Sequence, residues 1–188
     1  NPIRITNAEL RALKTPTVLL GSGDDYPDFD SIGSDSAGAV TRLIDMGIEP
    51  FLISSTMIVS IAQRLVRRVC PQCAEPVEPD PQLLRWEFGV EPDQYGNARF
   101  LKGRGCEHCR HTGYRGRLAI YEMMPFTEAI KDLTVRRANA LEIKRQALKE
   151  GMKTLRHSGW RRVVSGDTTV EEVLRVTADA EDVGVKRD

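Results

Sequence analysis

The chain has 188 residues, 40% hydrophobic and 6% aromatic, with 27 basic residues against 27 acidic ones. That length suits one large domain or two small ones around an aliphatic core. The charge balance excludes an overall field that would gather nucleic acid, and no run of about 18 apolar residues is present to span a membrane.

Residues 1–34 read differently from the rest. Asn7 to Leu13 can start a short helix, Pro16 breaks it, and Thr17 to Leu20 is a short β-type run. Gly21-Ser22-Gly23 follows, but a third glycine is missing and Asp24, Asp25, Asp28 and Asp30 would repel a phosphate. An acidic, poorly packed loop is expected there. From Asp35 the signals sharpen. Asp35 or Ser36 caps a helix whose apolar positions are Ala37, Val40, Leu43 and Ile44, and Gly47 ends it. Pro50 separates it from a second helix, expected over Ser54 to Val69. There Ile58, Ile61, Ala62, Leu65 and Val69 recur at helical spacing.

Ala74 to Pro81 is proline-rich and acidic, which predicts a stiff extended linker. Gln82 to Phe88 suits a short helix with Leu83, Leu84 and Trp86 seeking cover. Ala98 to Leu101 and Leu118 to Met124 read as strands, and Met123, Met124 and Phe126 are expected in the core. The last third is helical. Thr127 to Arg136 is one helix, and Asn139 with Glu142 caps the next, which Gly151 stops. Met152 to Val164 is a third, and Thr168 with Glu171 caps a fourth through Val176. The tail from Ala178 is charged and expected to fray.

The four cysteines form two pairs, Cys70-Pro71-Gln72-Cys73 and Cys106-Glu107-His108-Cys109. A two-residue gap lets each tight turn aim both sulfurs at one point, so the set suits structural zinc. The separation of the pairs exceeds the usual ribbon spacing, so an excursion must be tolerated. Two disulfides are the weaker reading: the first residues carry no basic-then-apolar export signal, and a cytoplasmic protein is expected. His108 and His111 compete as ligands, but four cysteines suffice and close the site to catalysis. Arg67, Arg68, Arg104, Arg110 and Arg115 lie near enough in sequence to offset the thiolate charge.

Several of these runs together resemble one family. Asp35 to Thr56 is very similar to the bacterial secretion-traffic ATPases, the motors of type II secretion and type IV pilus assembly. Gln63 to Cys73 resembles the start of their tetracysteine zinc element. Gly105 to Arg117 and Ile120 to Phe126 resemble its second knuckle and the following strand. Thr168 to Thr177 resembles their C-terminal helix. The resemblance implies a membrane-peripheral hexamer with a RecA-like core that uses ATP and Mg2+. It also implies docking on an inner-membrane platform protein and a bitopic secretion partner, at the cytoplasmic side of the bacterial inner membrane.

The sequence departs from that family in its phosphate-binding parts. No Gly-x-x-x-x-Gly-Lys-[Ser/Thr] loop is present; Gly151-Met152-Lys153-Thr154 is the nearest run and lacks the upstream glycine. Asp30-Ser31-Ile32-Gly33-Ser34 stands where a Leu-His-Thr-Asn histidine box is expected, though Arg11 to Leu20 resembles the strand before that box. The chain therefore reads as an α/β, mostly helical, C-terminal part of a RecA-like P-loop ATPase domain. It divides into a divergent segment 1–34, a helical remnant of the ATPase core 35–69, and a zinc subdomain 70–117 held by Cys70, Cys73, Cys106 and Cys109. A strand and helical bundle 118–178 and a charged tail 179–188 follow. No catalytic or nucleotide-binding residue is assigned, and the chain alone is expected not to hydrolyse ATP.

Two other readings compete with this one. A free-standing zinc-ribbon nucleic-acid binder rests on the cysteines with Arg64, Arg67, Arg68, Arg104, Arg110, Arg115 and Arg117; zero net charge and few aromatics oppose it. A zinc hydrolase has neither a His-Glu-x-x-His run nor an open coordination position. Trp86 and Trp160 are read as packing residues, Arg161 and Arg162 as a solvated helix face, and Glu142 and Glu171 as caps.

Overall fold

A computed structural model describes residues 19–21, 35–96 and 98–178. The expected helix at Asn7, the acidic loop, the histidine-box position and the tail beyond Ala178 lie outside them. The elements run β1 (Leu19–Gly21), α1 (Ser36–Asp45), α2 (Pro50–Thr56), β2 (Val59–Val69), β3 (Ala74–Pro76), α3 (Pro81–Phe88), β4 (Leu101–Gly103) and β5 (Tyr114–Pro125). Four helices close the chain: α4 (Glu128–Val135), α5 (Ala140–Lys149), α6 (Leu155–Val164) and α7 (Val170–Thr177). One sheet has the order β1-β2-β5, and a second joins β3 to β4.

The chain divides into two compact units, and both β2 and β5 run from one into the other. The first unit includes residues 35–62 and 123–152. Asp35 caps α1 by accepting from the Gly38 N–H at 2.7 Å. Its other oxygen takes the Lys144 ammonium at 2.7 Å, with both side chains almost wholly buried. Ala37, Val40, Ile53, Met57, Met124, Ile130 and Ile143 make the core. Asn139 and Glu142 form the expected capping box of α5, and Gly151 follows that helix at φ 95°. Only glycine takes that backbone without strain.

The second unit includes residues 63–96, 98–122 and 153–178. Within it α6 and α7 approach closely, because Gly159 has no side chain: a methyl there would overlap Val173. Arg156, nearly buried, donates to Glu87 at 2.5 Å and to the Thr177 hydroxyl at 3.1 Å. Phe88, Tyr95 and Phe100 surround the Trp160 ring at centroid distances of 4.9 to 6.1 Å, so Trp160 is a packing residue.

The largest departure from the sequence reading is the helix expected over Ser54 to Val69. Helix ends at Thr56, and Val59–Val69 is a strand. Pro50 does not separate two helices; it occupies the first turn of α2, where a missing N–H costs nothing. The apolar spacing of Ile58, Ile61, Ala62, Leu65 and Val69 satisfies a helix, but β-branched Val59, Ile61, Val66 and Val69 favour a pleated backbone. Pairing with β5 decides between them.

Smaller departures have similar causes. Ala74–Pro76 is not free linker but a strand antiparallel to Leu101–Gly103. Trp86 is 60% exposed, while Leu84 is the residue of α3 that is buried. Strand alternation sends Met124 inward and leaves Met123 37% exposed. The cap of α7 is Thr169, which accepts from the Glu172 N–H at 3.2 Å, one residue later than expected. Thr168 instead donates to the Arg67 carbonyl at 2.7 Å. Glu171 is therefore not a capping partner; it faces Lys102 at 3.4 Å, and Glu172 turns inward.

Candidate metal centre

Strand β2 carries the first cysteine pair into place. The Val69 N–H donates to the Asp167 carbonyl and the Cys70 N–H to the Gly113 carbonyl, both at 2.9 Å. Hydrogen bonds thus fix the end of β2 against the turn that follows the second pair. The long excursion between the pairs folds back on itself. Register Ala74↔Gly103 and Pro76↔Leu101 closes it, and the Arg104 N–H reaches the Cys73 carbonyl at 2.9 Å. Thirty-two intervening residues are tolerated because their two ends meet as a hairpin beside the cysteines.

Two glycines make the meeting possible. A side chain on Gly103 would fall on the backbone of Gly113, and one on Gly113, at φ 78°, would lie 2.5 Å from the Gly103 carbonyl oxygen. Neither obstacle is a flexible side chain, so neither can move aside. We expect Gly103→Ala to cost on the order of 2–3 kcal/mol, as other overpacking substitutions do, and to weaken metal retention. Thermal melting with a chelator competition checks it; an unchanged melt and affinity would contradict the packing.

The four sulfurs lie within 4.8 Å of one another. Cys70 to Cys106 is 3.9 Å, and Cys73 to Cys109 and Cys106 to Cys109 are each 3.8 Å. Sulfurs at the corners of a tetrahedron, each about 2.3 Å from a central ion, lie about 3.8 Å apart. The donor set fits a closed tetrathiolate centre. All four thiols are free, and Cys70, Cys73 and Cys109 are buried.

The charge of the thiolates is met by backbone. Gly105 N–H points to Cys73 Sγ at 3.4 Å, while Cys106 and Gly113 N–H point to Cys109 Sγ at 3.2 and 3.3 Å. The Cys106 N–H leads in pulling the Cys109 thiol down to about 6, whereas burial pushes Cys73 up to about 12. Four of the five nearby arginines have other partners. Arg67 pairs with Glu172, Arg68 with Asp167 and Arg104 with Glu75. Arg115 donates to the His108 carbonyl at 2.6 Å. Each of these four is held by a carboxylate or a carbonyl, and the N–H groups above are the donors that reach sulfur. His108 and His111 are outside the ligand cluster. Arg110 and His111 instead shape the turn, at φ 54° and 61°, so that the His111 N–H reaches the Cys106 carbonyl at 2.8 Å.

Sequence reasoning missed the support under this centre. Glu172 on α7 has a fully buried side chain and accepts from Arg67 Nη2 at 2.7 Å, from the Arg67 N–H at 2.9 Å, and from Arg175. Arg67 also lies 4.2 Å from the centre of the Tyr114 ring. These contacts join α7 to β2 just before it delivers Cys70, and to the start of β5 just after the second cysteine pair. A carboxylate spaced three residues before an arginine was the only sequence signal for it.

The profile of the Type II/IV secretion system protein family matches residues 33–175. The type IV pilus assembly ATPase PilB of Myxococcus xanthus is 45% identical over 77% of this chain and 26% of its own length. PilB of Thermus thermophilus is 47% identical over 78% of this chain and 16% of its own length. The type II secretion system protein E of Pseudomonas aeruginosa is 45% identical over 76% and 28%. The chain thus spans between 16% and 28% of the length of these relatives.

Proposed function

Because the chain belongs to the type II/IV secretion system protein family, we propose that it is the zinc-bearing, C-terminal portion of an ATPase motor for type IV pilus assembly or type II secretion. The observation that carries this reading is the cluster of four thiols within 4.8 Å, inside the matched region. Zinc fits the set best, since a soft d10 ion with four thiolates needs no further ligand. Cys70, Cys73, Cys106 and Cys109 hold it, and its part is structural: it ties β2, the β3–β4 hairpin and β5 at one point.

The parent motor is a hexamer with a RecA-like core, and residues 35–69 belong to that core. Residues 70–117 form the zinc subdomain, and residues 118–178 the strand and helical part. ATP and Mg2+ bind elsewhere in the parent, since these 188 residues include no Walker A run. The motor works at the cytoplasmic face of the inner membrane, docked on a platform protein and, in secretion, on a bitopic partner. None of the described helices is long and apolar enough to cross a membrane.

Native mass spectrometry before and after chelation tests the zinc assignment. One zinc per chain, lost to chelator with unfolding of the second unit, is the expected result. An intact metal-free fold would contradict it. The isolated chain should also turn over no ATP in a coupled assay; stoichiometric turnover would place a nucleotide site in this region.

A further inference from the structure

The most open stretch of β5 begins where the second knuckle ends. Arg115, Gly116 and Arg117 are three consecutive exposed residues within a strand. Among the described residues β5 is the outer strand of the order β1-β2-β5, and the sheet face at Gly116 is open, with nothing within 4 Å of where a side chain there would project. Further along, the edge closes: the Tyr121 N–H donates to Ser158 Oγ at 3.2 Å. The outer strand of a sheet carries a row of N–H and C=O groups that its own sheet does not use and another chain can.

Two of the charges nearby, Arg110 and Arg117, are left without a carboxylate among the described residues. Arg115 reaches the His108 carbonyl and so ties this stretch to the knuckle that carries Arg110. Among the described residues, Arg110 and Arg117 have no carboxylate within ion-pair distance, whereas Arg67, Arg68 and Arg104 are each paired. Surplus positive charge therefore coincides with the open part of the strand and stops where that part stops.

We propose that residues 114–119 of β5, with Arg110, form a docking edge for an extended acidic segment of a partner polypeptide. The segment adds as a strand: main-chain hydrogen bonds give affinity, and its carboxylates meet Arg110, Arg115 and Arg117. A strand edge suits a polypeptide better than the other anionic partners. Nucleic acid would seek stacking surfaces, and the one aromatic ring here, Tyr114, already faces Arg67. A bilayer would seek apolar side chains to insert, and the exposed run is Arg-Gly-Arg. The proposal rests on the motor reading only for which protein supplies the segment.

The test uses the full zinc-loaded chain and a labelled decapeptide of alternating Glu and Val, followed by fluorescence anisotropy. The paired substitutions R115E and R117E should weaken binding by at least about tenfold, in line with the loss of charge-assisted contacts. R145E, which reverses an exposed charge on α5, should not. Because Arg115 also touches the knuckle, R117Q alone is the second variant. The same peptide N-methylated at alternate residues keeps its charge but cannot pair as a strand, and should lose binding to the wild-type chain. Equal binding of the methylated peptide, or no saturable binding of the parent peptide, overturns the proposal. So does a preference for duplex DNA or for phosphatidylglycerol vesicles over the peptide. Zinc content and melting temperature measured on the same samples report separately on the motor reading.

Discussion

Cys73→Ser is expected to leave the chain without stoichiometric metal and to unfold the second unit while sparing the first. The sulfur of Cys73 is buried and 3.8 Å from that of Cys109, so serine cannot replace it with a longer reach or a softer donor. Loss of a group that merely orients a ligand costs about 10–100-fold in metal affinity; loss of the ligand itself should exceed that range. The structural consequence follows from what the centre joins. The β3–β4 hairpin is a two-stranded pairing of three residues each, far too small to persist alone. The first unit has its own core of Val40, Ile53, Ile130 and Ile143, independent of sulfur. Chelator competition measures the affinity, and hydrogen exchange resolves the units. Wild-type zinc content in Cys73→Ser would mean that three thiolates and another donor suffice, and would return His108 to consideration.

The second large effect is expected at Glu172. Burial alone would push this carboxyl up, but hydrogen bonds from Arg175 and then Arg67 outweigh it and hold the group near 2, against an ordinary 4.5. A carboxylate depressed by folding stabilises the protein fully above 4.5, and that contribution disappears as pH falls from 4.5 toward 2. The shift corresponds to at most about 3 kcal/mol. Arg67 and Arg175 are 46% and 59% exposed, so water screens part of this and about 2 kcal/mol is the better figure. Glu172→Gln should therefore lower stability at pH 7 by about 2 kcal/mol and flatten the acid limb of the stability profile. Urea titrations of both proteins at pH 7 and pH 3 measure it. Parallel pH profiles for the two would show that Glu172 carries no such linkage.

Both effects trace to different kinds of information in the chain. The cysteine spacing was legible because ligand geometry is local. Two C-x-x-C pairs can hardly do anything else with reduced thiols, and the sulfurs do converge. Caps were legible for the same reason: Asp35 and Asn139 each bond to an N–H only three residues away, whereas Thr154, expected inside a helix from Met152, is the cap of one that starts at Leu155. Helix α7 was legible to within one residue, and that residue mattered. It exchanged Glu171 for Glu172 as the inward carboxylate, whose partner Arg67 lies 105 positions away.

Sequence by itself determined the elements whose stabilising partners lie within a turn of helix or a knuckle: the capped helices and the thiol cluster. Tertiary structure decided the rest. Residues 59–69 carry apolar spacing that either backbone could use, and β5 supplies the hydrogen bonds that make it a strand. The arginines near the cysteines carry charge that could serve the sulfurs, and distant carboxylates take three of them instead. The physical reason is range. Capping and ligand spacing act over three or four residues, whereas strand pairing and buried charge depend on which distant segment arrives opposite.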